Sequence, residues 1–127
     1  MAGNIVSGPE VGHWVSAQQK RCYVEQGSQA IGLLKNGQLV AGAIFENWNQ
    51  RSIVLHIAIT GNISKAFLKI LCGYAFDFCK VHKVIGPIES TNHKSIRIAK
   101  KFGFVEEARL TDAGPNGDRS EERRVGK

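Results

Sequence analysis

No apolar run in the 127 residues approaches the roughly 20 that cross a bilayer. The opening residues, Met1-Ala2-Gly3-Asn4-Ile5, lack the basic-then-apolar order of a secretory signal, so the default expectation is a cytoplasmic location. Cysteine is scarce. Cys22, Cys72 and Cys79 have no metal-ligand spacing, and an odd count gives no disulfide framework. Cys72 and Cys79 stand seven residues apart on one expected helix, which separates them by about 10 Å, too far for a bridge. No metal site is expected, and neither cysteine has an activating partner that would make it a nucleophile. Internal repeats and low-complexity segments are absent. The aromatics do not interleave with Lys and Arg as a base-stacking platform requires, which counts against a nucleic-acid-binding protein.

What is present is an apolar content of 43% in a chain long enough for one core. A net charge of +6 favours anionic partners. We expect a single domain over residues 1–117, its first nine residues a loose arm. Residues 10–20 read as a short helix with Val11, Trp14 and Val15 on one side. Residues 30–35 and 38–45 read as a hairpin, because Asn36-Gly37 between them is the two-residue turn signal in which both positions need positive φ. Residues 53–60 are apolar on both faces except for His56 and Thr60, as in the centre of a sheet. Ile63, Phe67, Ile70, Leu71, Tyr74 and Phe78 then form one helical stripe. Residues 83–88 read as a short strand. This order predicts an α/β (α+β) fold, with a mixed, mostly antiparallel central sheet flanked by helices. Residues 118–127 carry mixed charge and one aliphatic residue, which predicts a disordered tail.

The run from Ser90 to Phe104 is the most informative. A polar turn opens a short basic helix, and Asn92 stands where a short polar side chain caps the helix or faces a ligand. Gly103 has the chemistry of a helix C′ residue. An extended segment follows over residues 105–110. This Asn–helix–Lys-Phe-Gly-Phe–Glu pattern resembles the second coenzyme-side motif of the GCN5-related N-acetyltransferases. The resemblance implies that Asn92 and the helix start, with Ser95, face acetyl-CoA. It also assigns the strand-to-helix turn of Thr60, Gly61, Asn62, Ile63, Ser64 and Lys65 to the coenzyme's pyrophosphate. Free N–H groups and a positive dipole end suit phosphate there, and Lys65 adds a formal charge. The family's Gly-x-Gly/Ala signature is missing at that turn. His56-Ile57-Ala58 followed by Asn-Ile-Ser-Lys is more similar to a divergent, phage- or prophage-type branch. The resemblance spans residues 14–118. Members continue with a further strand that completes the sheet. Here a charged tail stands in its place, so the C-terminal strand is expected to be missing, or supplied by a partner such as a second copy in a homodimer.

The reaction implied is direct transfer of acetyl from acetyl-CoA to a primary amine, on a small-molecule or peptide acceptor that the sequence does not specify. A backbone N–H from Ile57, Ala58 or Ile59 would stabilise the oxyanion. Glu46 is the first candidate base, acting directly or through water, and His56 the second. On the blander alternative, Glu46 is a solvated carboxylate and His56 a satisfied sheet histidine. Trp14, Tyr23 and Trp48 are candidates for an acceptor pocket. The Tyr with which many members protonate the departing thiolate would align with Ala99 or its neighbours, and none is there. The alternative function is therefore a catalytically degenerate acyl-CoA-binding or interaction module. A small basic nucleic-acid-binding protein is the third reading.

Overall fold

Asn36 and Gly37 adopt φ of 53° and 79°, the left-handed pair that the hairpin requires, and this turn anchors the first half of the fold. The computed structural model describes residues 4–60, 65–114 and 117–126. In chain order the elements are β1 (Asn4–Ser7), α1 (Pro9–Gln18), β2 (Gln29–Lys35), β3 (Gln38–Glu46), β4 (Ser52–Ile59), α2 (Lys65–Gly73), β5 (Lys83–Glu89), α3 (His93–Lys101), β6 (Val105–Gly114) and β7 (Gly117–Val125). Among the described residues the strands form one seven-stranded sheet in the order β1-β2-β3-β4-β5-β7-β6. All neighbours are antiparallel except β4 and β5. No helix among them is long and apolar enough to cross a membrane.

The sheet carries a core on each face. On one, α1 lays Val11 and Val15 over Ala30, Ile44 and Ala58. It can come this close because Gly32 and Gly42 face each other across β2 and β3. A Cβ on Gly42 would lie 2.6 Å from Val15 Cγ2. On the other face α2 buries Phe67, Leu68 and Leu71 against Ala41, Ala43, Phe45, Ile53 and Leu55. The expected stripe ends early. α2 gives way to a π-helical turn over Tyr74–Phe78, which leaves Phe78 75% exposed while Tyr74 still packs on Phe45. Ile63 lies outside the described residues.

Two expectations are corrected. Residues 4–7 are not a loose arm, since β1 pairs with β2 from Asn4↔Leu34 to Ser7↔Ile31. The charged tail is a strand rather than a disordered segment. β7 lies between β5 and β6 and pairs with both. The C-terminal strand is therefore present, and the place for which a partner's strand was invoked is filled by the chain itself. The physical reason is that a strand bonded on two sides is held by its backbone, and several of its charges have partners nearby. Arg119 pairs with Glu121, and Arg123 with Glu107. Arg124 lies over the rings of Phe76 and Phe102.

Candidate active site

β4 and β5 are joined at only three pairs, Ser52↔Lys83, Ile53↔Val84 and Val54↔Ile85. Beyond them pairing stops, although β4 continues to Ile59 and β5 to Glu89. A cavity of about 560 Å³ opens between the strands. Its walls come from both faces of the sheet: Gln18 at the end of α1 with Gln19, Lys20 and Arg21 after it on one, and Leu68 of α2 with Ser95, Ile98 and Ala99 of α3 on the other. The cavity is thus a passage through the sheet, of a size that suits a small-molecule ligand.

The register fixes which backbone groups face it. Thr60 N–H donates to Val40 O at 2.9 Å. Antiparallel pairs alternate, so His56 and Ala58 also bond β3, while Ile57 and Ile59 turn their N–H and C=O groups away from β3 toward the cavity. The Ile57 carbonyl accepts from Gln19 Nε2 at 3.0 Å, which agrees with that orientation. Ile57 and Ile59 line the cavity, whereas Ala58 is buried under α1. The Thr60 hydroxyl also bonds Val40 O, so both its donors are spent on β3. Lys65 is the exposed first residue of α2. Gly61, Asn62, Ile63 and Ser64 lie outside the described residues. Asn92 caps α3, its side chain accepting from Ser95 N–H at 3.2 Å, and both residues line the cavity.

The two candidate bases meet through a residue that sequence reasoning missed. Arg21 Nη2 donates to Glu46 Oε1 at 3.1 Å. Its Nη1 lies 2.9 and 3.0 Å from the two ring nitrogens of His56, so it bonds whichever carries the lone pair. His56 Nε2 is 3.5 Å from the same Glu46 oxygen. Burial, and then the Arg21 charge, hold His56 below the ordinary histidine value, with Glu46 opposing. The imidazole is therefore neutral at pH 7, the form a base requires. His56 lines the cavity. Glu46 instead borders a neighbouring hollow of about 800 Å³ with Trp48, Tyr74 and Phe78. Trp14 and Tyr23 pack in the α1 core, so none of the three aromatics expected at an acceptor pocket lines the passage. Nothing local in the sequence marks Arg21, whose contacts reach across 25 and 35 residues.

Three buried polar atoms of cavity-lining residues have no protein partner: Gln19 Oε1, Arg119 Nε and Glu122 Oε1. Orphaned polar atoms are costly unless a ligand or water satisfies them, so these three can bond an occupant of the cavity, water included. Two of the three lie on β7, the segment whose composition reads as a tail. The sequence signal that remains visible is the period-two alternation of Arg119, Glu121 and Arg123, all off the face that carries Ser120, Glu122 and Arg124. Ala99 lines the cavity where the resemblance would place a tyrosine, and among the described residues no tyrosine lines it. No group of side chains among them could hold a metal ion.

A mixed sheet, flanked by helices and parted at one parallel seam, is the GCN5-related N-acetyltransferase-like fold. Solved structures of such enzymes superpose on it. Spermidine/spermine N-acetyltransferase SpeG from Vibrio cholerae, in complex with manganese ions, matches with a TM-score of 0.77 at 13% identity, covering 98% of this chain and 92% of that one. The dodecameric structure of the Vibrio cholerae spermidine N-acetyltransferase gives 0.76 at 14% identity, covering 97% and 93%. A crystal structure of a probable acetyltransferase gives 0.69 at 23% identity, covering 79% and 62%. At these identities the likeness defines the fold. No protein-family model and no curated protein matches the sequence.

Proposed function

We propose that this chain is an N-acetyltransferase that moves acetyl from acetyl-CoA to a primary amine. The observation that carries the reading is the passage between β4 and β5, with strand N–H groups on one wall and three unpartnered buried polar atoms around it. Acetyl-CoA enters as a substrate from the α2 and α3 side. There Asn92 and Ser95 face its pantetheine arm, and the sequence resemblance assigns residues 60–65, ending in Lys65, to its pyrophosphate. The Ile57 or Ile59 N–H stabilises the oxyanion. The amine enters from the α1 side, and His56 takes its proton. Glu46 and Arg21 set the position and charge of the imidazole. The turn sequence supports placement in the phage- or prophage-type branch, and the default location is the cytoplasm.

The bare position at Ala99 favours one second reading, a module that binds acyl-CoA without turnover. A thermal-shift and thiol-release pair decides. Acetyl-CoA at about a hundred times its Kd should add about 2.7 kcal/mol of stability, with no effect from an oligonucleotide. Thiol release should rise with at least one member of a panel of amino acids, polyamines, amino sugars and peptides. No shift at millimolar acetyl-CoA refutes both readings. A shift without amine-dependent release leaves the binding module.

A further inference from the structure

Side chains alternate between the two faces along β7. Arg124 is turned to Cys72, Phe76 and Phe102, on the face that α2 and α3 cover. Glu122 shares that face, so Arg119 takes the opposite one. His56 is on the same side as Arg119, because it pairs with Ile44 and lies in step with Ala58, both packed under α1. Arg119 lines the passage, and Lys20 and Arg21 line it from beyond α1. Arg119 stands directly across from Glu89 of β5, which also lines it. Among the described residues, this side of the passage therefore carries three cations against the one carboxylate of Glu89. Arg21 shares its charge with Glu46 and Arg119 with Glu121, and no ion pair among the described residues includes Lys20. A polyamine, cationic along its length, is disfavoured there. Two polar atoms on these walls lack a partner, and they are of opposite kinds. Gln19 spends its Nε2 on the Ile57 carbonyl, which leaves its buried Oε1 as an acceptor in need of a donor. Arg119 Nε is a buried donor in need of an acceptor. Burial and Arg21 lower His56 most, and the Arg119 charge also lowers it, so this guanidinium is within electrostatic reach of the imidazole. A ligand that satisfies both atoms offers an N–H donor at one end and an anionic oxygen at the other.

We propose that the acceptor is an amino acid, a small amine that carries its own carboxylate. Its nitrogen donates to Gln19 Oε1, with His56 as the base, and its carboxylate accepts from Arg119 Nε. This rests on the acetyltransferase reading. The nitrogen bonds the acetyl carbon, and the C–S bond breaks with its electron pair on sulfur. Of the two protons that the ammonium sheds, one ends on the sulfur and the other leaves through His56 to solvent. The product is an N-acetyl amino acid.

The test measures thiol release from acetyl-CoA with α-, β- and γ-amino acids, each against its own carboxamide, and with spermidine. In wild type the best amino acid should exceed its carboxamide in kcat/KM by about 10–10²-fold, chiefly through KM, as the loss of a hydrogen bond to a charged group implies. Arg119→Gln should bring that ratio toward 1, and Arg119→Lys should recover part of it. The acetyl-CoA thermal shift of both variants should match wild type, since Arg119 is on the acceptor side. A wild-type ratio near 1 leaves the two atoms to water and overturns the proposal while the acetyltransferase reading stands. A preference for spermidine, or equal loss of amino acid and carboxamide in Arg119→Gln, does the same. Acetyl-CoA binding without release by any amine also overturns it and leaves the binding module. A wild type that neither binds nor turns over acetyl-CoA overturns both. If Arg119→Gln does not fold, the wild-type ratio and the spermidine comparison decide.

Discussion

Replacing Asn92 by Ala should loosen one end of the cavity by a calculable amount. The Asn92 side chain accepts from Ser95 N–H at 3.2 Å and satisfies a donor that the helix cannot satisfy itself. Such a cap is worth about 1 kcal/mol, within a range of about 0.5–2. α3 leans on it more than most helices do, because none of its nine residues is fully buried and its first turn has no acidic residue. Only Lys100 and Lys101, in the last turn, complement the dipole. We therefore expect Asn92→Ala to lower the melting temperature by roughly 4 °C. Amide exchange from Ile96 to Phe102 should accelerate before global unfolding. Asn92→Gly should cost only a few tenths of a kcal/mol. Asn92→Asp keeps the acceptor and adds charge at a positive helix end, so it should gain about 0.3–1 kcal/mol. The same charge repels phosphate, so Asp at 92 should be more stable and yet bind coenzyme A more weakly. That opposition separates the capping role from the ligand role. Urea denaturation, exchange and coenzyme titration read all of it. If the Ala variant matches wild type in stability and exchange, the side chain is not a working cap and the account of α3 is wrong.

Truncation after Gly114 should abolish cooperative melting, because it removes the strand that both β5 and β6 bond; a normal melt of the truncated chain would contradict the sheet order. Phe67→Ala, at a site 1% exposed, should cost about 3–5 kcal/mol in urea denaturation. His56 is held below its unfolded value, so between that value of about 6.5 and the lower folded one the unfolded chain binds the extra proton. Stability should therefore decline as pH falls through this window, and His56→Gln should flatten the decline in melts from pH 8 to 5. Arg21→Ala removes a charge that holds the imidazole down, so the acidic limb of kcat/KM should move to higher pH; a downward move would show that Glu46 is not the surviving influence.

The parts of the fold that a single segment encodes are readable from that segment. Asn36-Gly37 specifies its hairpin because few residues accept two positive φ angles in succession. Asn92 and Gly103 bracket α3 because each supplies a local need, a side-chain acceptor at one end and a φ of 91° at the other. What required partners distant in the chain was hidden. The composition of residues 118–127 says nothing of β5 and β6, so a doubly paired strand reads as a solvated run. Glu122 and Arg119 went unnoticed with it. Glu46 and His56 were visible as chemistry, but the guanidinium that joins them comes from beyond α1. The π-helical turn was hidden for another reason: the apolar stripe continues through Phe78 although the α-helical backbone does not.

The insertion of β7 between β5 and β6 also sets a timetable. β5 and β6 precede it in the chain and have no ladder with each other, so a nascent polypeptide that has emerged only as far as Gly114 exposes two raw strand edges. The passage between β4 and β5 then lacks the wall that carries Arg119, Ser120 and Glu122. The hairpin of β2 and β3 can form early through contacts of short range, whereas the second half waits for residues 117–125. A ribosome that stalls in this interval holds an adhesive intermediate, and chaperone demand should peak there rather than at the hairpin.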